Sequence, residues 1–221
     1  MCQLKSNKKE SIKKFLTGSF FVQKQEGWYK KMMVAYKAFD PNFKCRNNYQ
    51  YEMKKWAKED MAQCRMKGFH SAYEPFDCLN YYSWDGRNKF CIVIIDGLIH
   101  EEDGDTKIAS TKLLPYKQLT LEEFVYEEIV YLINNPYSGS NSRVNDCEEC
   151  VANDKPYIIV RGKNPKVTIK KKGIVVGILK EEADSKKIRE VNFFTSGRKY
   201  PAGIYDVTGK IGDIKKNRKH C

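Results

Sequence analysis

The chain has 221 residues, 41% hydrophobic and 13% aromatic, and a formal net charge of +12. That apolar content is enough to bury a core, which excludes an intrinsically disordered chain. The longest apolar runs, FCIVII and GIVVGIL, are strand-length and exclude a membrane-spanning helix.

Residues 1–31 read as a basic N-terminal arm. Within it KESIKKFL predicts two helical turns, with Ile12, Phe15 and Leu16 on one side. Lysines precede an apolar patch here, as in a signal peptide. The patch is short, is interrupted by Thr17, Gly18 and Ser19, and lacks a small-x-small cleavage site, so the expected compartment is the cytoplasm.

Residues 32–134 read as a mixed α+β domain, with two main helices packed on a small sheet. MMVAYKAFD predicts a strand ending at the Asp40-Pro41 turn. QYEMKKWAKEDMAQCRMKG predicts the first helix, with Met53, Trp56, Ala57, Met61 and Cys64 on one face and Gly68 closing it. In GFHSAYEPFDCLNYYSWDG, Glu74-Pro75 starts a short helix, with proline at the first position, where a missing N–H costs nothing. KFCIVIID and KIASTKLL predict strands either side of an acidic turn, HEEDGDTK. TLEEFVYEEIVYLINN predicts the second helix, opened by a Thr120/Glu123 capping box, with Leu121, Phe124, Val125, Ile129, Leu132 and Ile133 as its apolar stripe.

Residues 135–156 are polar and turn-rich and read as a linker or long loop. Residues 157–221 read as a basic, β-rich section with closely spaced glycines. KVTIKKKGIVVGILK predicts a hairpin turning near Lys172-Gly173.

Charge is distributed unevenly. Residues 1–34 carry 8 basic and 2 acidic side chains, residues 155–221 carry 18 and 6, and the middle carries 14 and 20. A basic section attracts nucleic acid or another anionic partner. Lys166, Lys170, Lys171, Lys172, Arg189, Arg198 and Lys199, with the tail Lys215, Lys216, Arg218 and Lys219, would track a phosphate backbone. Phe193, Phe194, Tyr200 and Tyr205 would offer stacking surfaces unless they are core residues.

Eight cysteines, at 2, 45, 64, 78, 91, 147, 150 and 221, show no disulfide framework, and reduced thiols are expected. Cys147 and Cys150 form a lone C-x-x-C; zinc would need two more ligands from Cys64, Cys78 or His70, and no metal site is assigned. Cys-His catalysis would have to use His70 with Cys64 or Cys78. HEEDGDTK lacks the bidentate glutamate of a calcium loop.

Tyr36, Lys37, Ala38, Phe39, Cys45, Arg46, Tyr49, Gly68, Phe69, His70, Pro75, Asp77, Leu79, Tyr81, Tyr82, Gly104, Asp105 and Lys107 form a spaced pattern. Over residues 36–113 this resembles an uncharacterised domain family of phages and prophages. The resemblance implies a mobile-element setting and no assigned chemistry. GFHSAYEPFDCLNYY is also similar in general shape to the nicotinamide-cradling segment of ADP-ribosyltransferases. That resemblance implies Tyr81 or Tyr82 stacking on the ring. It also implies an arginine or histidine on the first strand, where this chain has Lys37. The stabilising glutamate would be Glu101, Glu102 or Glu127.

The expectation from sequence is a non-enzymatic protein with no cofactor that binds nucleic acid or a host nucleoprotein complex. A counter-defence role, such as inhibition of a CRISPR effector, fits the basic ends and the phage resemblance. The alternative is an NAD-using, ADP-ribosyltransferase-like enzyme centred on Lys37, His70, Tyr81 and Tyr82.

Overall fold

The computed structural model describes residues 3–4, 21–25, 28–45, 48–101, 106–138, 141–152 and 154–214, with the backbone alone before residue 33. The helical turns expected around Ile12, the Glu102 position and the tail lysines lie outside the described residues. The chain divides into two compact units, residues 8–120 and residues 1–7 with 121–221.

The chain is mostly β, which overturns the expected α+β domain with two main helices on a small sheet. Among the described residues there is one α-helix, α1 (Leu121–Asn134), and one 3-10 helix (Pro75–Asn80). The helix expected over 50–68 is instead an irregular strip. Lys54 and Arg65 adopt left-handed backbone, which breaks a helix. The strip's donors go to a strand that needs partners, β7 (Lys107–Gln118): Lys54 N–H reaches the Pro115 carbonyl at 2.7 Å and Glu59 N–H that of Thr111 at 2.8 Å. Between them β4 (Ala57–Lys58) pairs with Leu113 and Lys112. The apolar face divides accordingly: Ala57 and Cys64 are buried, while Met53 and Met61 are exposed. Helical spacing coincided here with a segment whose role is to cover a sheet edge.

In the unit of residues 8–120, β2 (Phe21–Gln25) forms a hairpin with β3 (Trp28–Phe39). β3 pairs antiparallel with β6 (Lys89–Glu101), β6 with β7, and β7 with β5 (Phe69–Ala72). β5 returns to β3 through a single pair, Tyr36 with Ala72, so the four strands close into a ring. Alternate residues face the interior, giving a core of Ala35, Phe39, Phe69, Cys91, Val93, Ile95, Ile108 and Leu113, with Tyr51 and Ala57 from the covering strip. Gly97 bulges β6 with φ +83°, and the Leu98 N–H bonds the Thr111 hydroxyl at 3.0 Å.

The other unit has three layers. One sheet runs β1 (Gln3–Leu4), β13 (Ile188–Thr195), β12 (Val175–Glu181), β10 (Tyr157–Gly162) and β8 (Val144–Asp146). The second runs β15 (Gly209–Gly212), β14 (Gly203–Asp206), β11 (Lys166–Ile169) and β9 (Glu149–Val151). Ile158, Val160, Val176, Ile178 and Phe194 of the first sheet pack against Val167, Ile169 and Tyr205 of the second. α1 covers the opposite face of the first sheet, where Gly177 lets Ile129 approach so closely that a Cβ would lie 2.8 Å from its Cδ1. Cover on both sides explains why β10 and β12 read as nearly unbroken apolar runs. Residues 135–156, read as a linker, supply β8 and β9. The expected hairpin at Lys172-Gly173 is a corner: β11 joins one sheet and β12 the other. Gly173 still makes the turn, at φ +80°. Cys147 and Cys150 are joined as a disulfide, not left as reduced thiols.

Candidate functional site

A cavity of about 260 Å3 opens in the unit of residues 8–120. Beyond Tyr36 and Ala72 the strands β3 and β5 have no further pairing. The next antiparallel partner of Ala38 would be His70. Instead the Lys37 amino group donates to the His70 carbonyl at 2.6 Å. Strand β3 thus presents Tyr36, Lys37 and Ala38 to the cavity, and β5 presents His70, Ser71 and Ala72.

The remaining walls come from the segment after β5. Gly68 turns into that strand at φ +88°, where any side chain would press on Met61, Ala62 and Ser110 backbone at 3.0 Å. Pro75 opens the 3-10 helix as expected, and Tyr81 caps its end. Thr106 anchors this helix: its hydroxyl donates to Asp77 Oδ2 at 2.7 Å and accepts the Glu74 N–H at 2.9 Å. Asp77, Cys78, Asn80, Tyr81 and Tyr82 are thereby held on the wall, with Lys107 Nζ 4.9 Å from the centre of the Tyr81 ring. Arg65, in left-handed backbone, completes the rim, its N–H bonded to His70 Nε2 at 2.9 Å. That bond makes Nε2 an acceptor and puts the imidazole proton on Nδ1 when the ring is neutral.

Lys37 is the electrostatic anomaly. It shares a face of β3 with the core residues Ala35 and Phe39, is buried, and sits 5.4 Å from the Tyr51 ring centre and 5.6 Å from that of Phe39. Among the described residues it has no carboxylate partner. Burial pushes its pKa below the usual lysine value, an effect that Cys45 and Cys78 oppose and Lys107 adds to. Cys78 gives little opposing charge, because burial pushes its own thiol up to about 12.

The four residues of the alternative reading, Lys37, His70, Tyr81 and Tyr82, come together on this cavity. Of the three glutamates proposed with them, Glu102 lies outside the described residues and the other two do not join them. Glu101 accepts the Tyr73 hydroxyl at 2.7 Å and Glu127 lies on α1, neither of them lining the cavity; the carboxylate on the wall is Asp77. Cys64 bonds His100, through N–H to Nδ1 at 3.2 Å and sulfur to carbonyl at 3.0 Å, which supplies no Cys64–His70 dyad. No group of three potential metal ligands occurs among the described residues.

In the other unit, Ser196 ties two loops together. Its hydroxyl donates to the Lys171 carbonyl and accepts the Ile174 N–H, both at 2.9 Å. Lys170, Lys171 and Lys172 thus share one edge with Arg198 and Lys199. Lys171 pairs with Asp154, and Lys199 lies over the Tyr200 ring. Lys166 and Arg189 stand at the far ends of their strands, beside Glu149 and Glu190. The aromatics offer no stacking platform: Phe194 and Tyr205 are core, Tyr200 stacks on Phe194, and Phe193 packs on Tyr126.

Ten positions of the spaced pattern line the cavity: Tyr36, Lys37, Ala38, Cys45, Gly68, His70, Asp77, Tyr81, Tyr82 and Lys107. Residues 33–127 match a domain of unknown function, DUF7666. The DUF7666 match contains every residue of the cavity, and the basic edge at 170–172 and 198–199 lies outside it. No curated protein and no solved structure matches the chain. Sequence reasoning gave no role to Cys45, Asp77 and Lys107, although they belong to the pattern. Tyr51, Arg65 and Met66 carry no local signal at all, since only the folding of the 50–68 strip brings them to the cavity.

Proposed function

We propose that the DUF7666 portion is a nucleotide-binding domain whose ligand is NAD, and that it cleaves NAD or transfers its ADP-ribose. The observation that carries this is the convergence of Lys37, His70, Tyr81 and Tyr82, from three separate segments, on one cavity. Tyrosine rings at 36, 81 and 82 suit a flat nicotinamide. Lys107 and Arg65 at the rim suit the pyrophosphate, and Asp77 is the carboxylate within the site for a developing oxocarbenium charge. The volume suits the nicotinamide nucleoside half, with the adenosine half outside. Transfer of label from NAD tests the reading, with Tyr81→Ala and Tyr82→Ala checked for folding. Loss of transfer in either folded variant supports it; no transfer by the parent protein, or full transfer by both variants, removes the site.

A second reading rests on the basic edge that Ser196 assembles. It would contact phosphates of nucleic acid or of a host nucleoprotein complex in the cytoplasm, as a phage counter-defence protein would. Charge reversal at Lys170, Lys171 and Lys172 should weaken such binding and flatten its salt dependence. Unchanged affinity and slope would retire this reading and leave the first intact.

A further inference from the structure

A lysine in a sheet interior is costly to bury, and one held there without a counter-ion calls for a physical account. Lys37 lines the cavity, and among the described residues its Nζ is bonded to one acceptor, the His70 carbonyl, with aromatic rings and thiols around it. Such surroundings favour the neutral amine, whose lone pair is a nucleophile, over the ammonium ion.

We propose that Lys37 captures an aldehyde in this cavity as an imine. The Nζ lone pair attacks the carbonyl carbon, a C–N bond forms, and one amine proton passes to the carbonyl oxygen to give a carbinolamine. The restored nitrogen lone pair then expels that oxygen, which leaves as water with the second amine proton, and a C=N bond remains. Amine and aldehyde thus give imine and water, with no oxidant or reductant consumed. The tyrosines at 36, 81 and 82 and the cations at 65 and 107 select an aldehyde on a flat or sugar-like body bearing an anionic group. The inference goes beyond the NAD reading and does not rest on it.

Pyridoxal 5′-phosphate, a flat phosphorylated aldehyde, is the probe. The full chain is incubated with it, its imine absorption followed, and the adduct fixed with borohydride and mapped by peptide mass spectrometry. The expected result is a single label per chain on Lys37, forming faster than labels elsewhere and lost in Lys37→Arg. Label spread over other lysines with Lys37 unmodified overturns the proposal. So does a folded Lys37→Arg variant labelled like the parent; should that variant not fold, the peptide map of the parent decides alone. Label transfer from NAD without an imine at Lys37 would sink this inference and leave the NAD reading standing.

Discussion

Lys37 Nζ lies 2.6 Å from the carbonyl oxygen of His70, two residues back along β5 from the one pair, Tyr36 with Ala72, that closes the ring of strands. The lysine side chain therefore does the work of a backbone N–H at the point where β3 and β5 part. It is a structural strut and a wall of the cavity at once.

This geometry makes stability depend on pH in a defined direction. Burial lowers the folded-state pKa of Lys37 from its ordinary 10.5. Between the lowered value and 10.5 the unfolded chain binds more protons, so this group's contribution rises with pH and is lost as pH falls. In Lys37→Met that contribution is absent. The stability difference, parent minus variant, should grow toward pH 10.5 in urea unfolding. A difference flat across that window would mean that Lys37 stays charged in the fold.

Gly97 has no room for a side chain. Its φ is +83°, and a Cβ there would overlap the Thr111 hydroxyl that holds the Leu98 N–H. Gly97→Ala should cost about 1–3 kcal/mol, by backbone strain plus crowding. Adding Thr111→Ala removes the crowding and not the strain, so the double variant should recover only part of the loss in denaturant midpoint.

Arg161 and Glu181 form a buried pair at 2.7 Å, with side chains 8% and 5% exposed. The Arg161 guanidinium also donates to the Lys186 and Pro136 carbonyls at 3.0 and 3.3 Å. Glu181→Ala leaves that charge buried without its partner and should cost about 3–5 kcal/mol. Replacing both, as Arg161→Met with Glu181→Leu, should cost less than the single change; equal or greater loss would show that the pair itself supplies the stability.

The Cys147–Cys150 bond closes a very short loop. Cross-linking so few residues removes little entropy from the unfolded chain, about 2 kcal/mol. Reduction, or Cys147→Ser, should therefore lower the denaturant midpoint modestly and leave the protein folded. Alkylation under native conditions should spare both cysteines; their prompt modification would show them to be thiols.

Local chemistry was readable wherever a segment satisfied itself. α1 carries its own stripe of Phe124, Val125, Ile129 and Leu132, and those residues are buried. The strand pattern of 89–95 and the proline-led helix at 75 were legible for the same reason. Where a segment existed to satisfy another, its own pattern misled. Residues 50–68 show helical spacing, yet they supply hydrogen bonds to the open edge of β7, a demand written in residues 111–115. The turn at Gly173 was visible, while its separation of two sheets depends on which strands β11 and β12 find as partners.

The candidate site divides in the same way. The resemblance of GFHSAYEPFDCLNYY to a nicotinamide-cradling segment grouped Lys37, His70, Tyr81 and Tyr82, since residue type and order are properties of the chain. That they share a cavity with Arg65, Tyr51 and Lys107, and that Glu101 and Glu127 do not, followed only from the closing of β3 on β5. The pKa of Lys37 belongs to the tertiary structure as well. A lysine acquires an amine's chemistry from the water and the carboxylates that packing takes away, and neither is encoded at its own position.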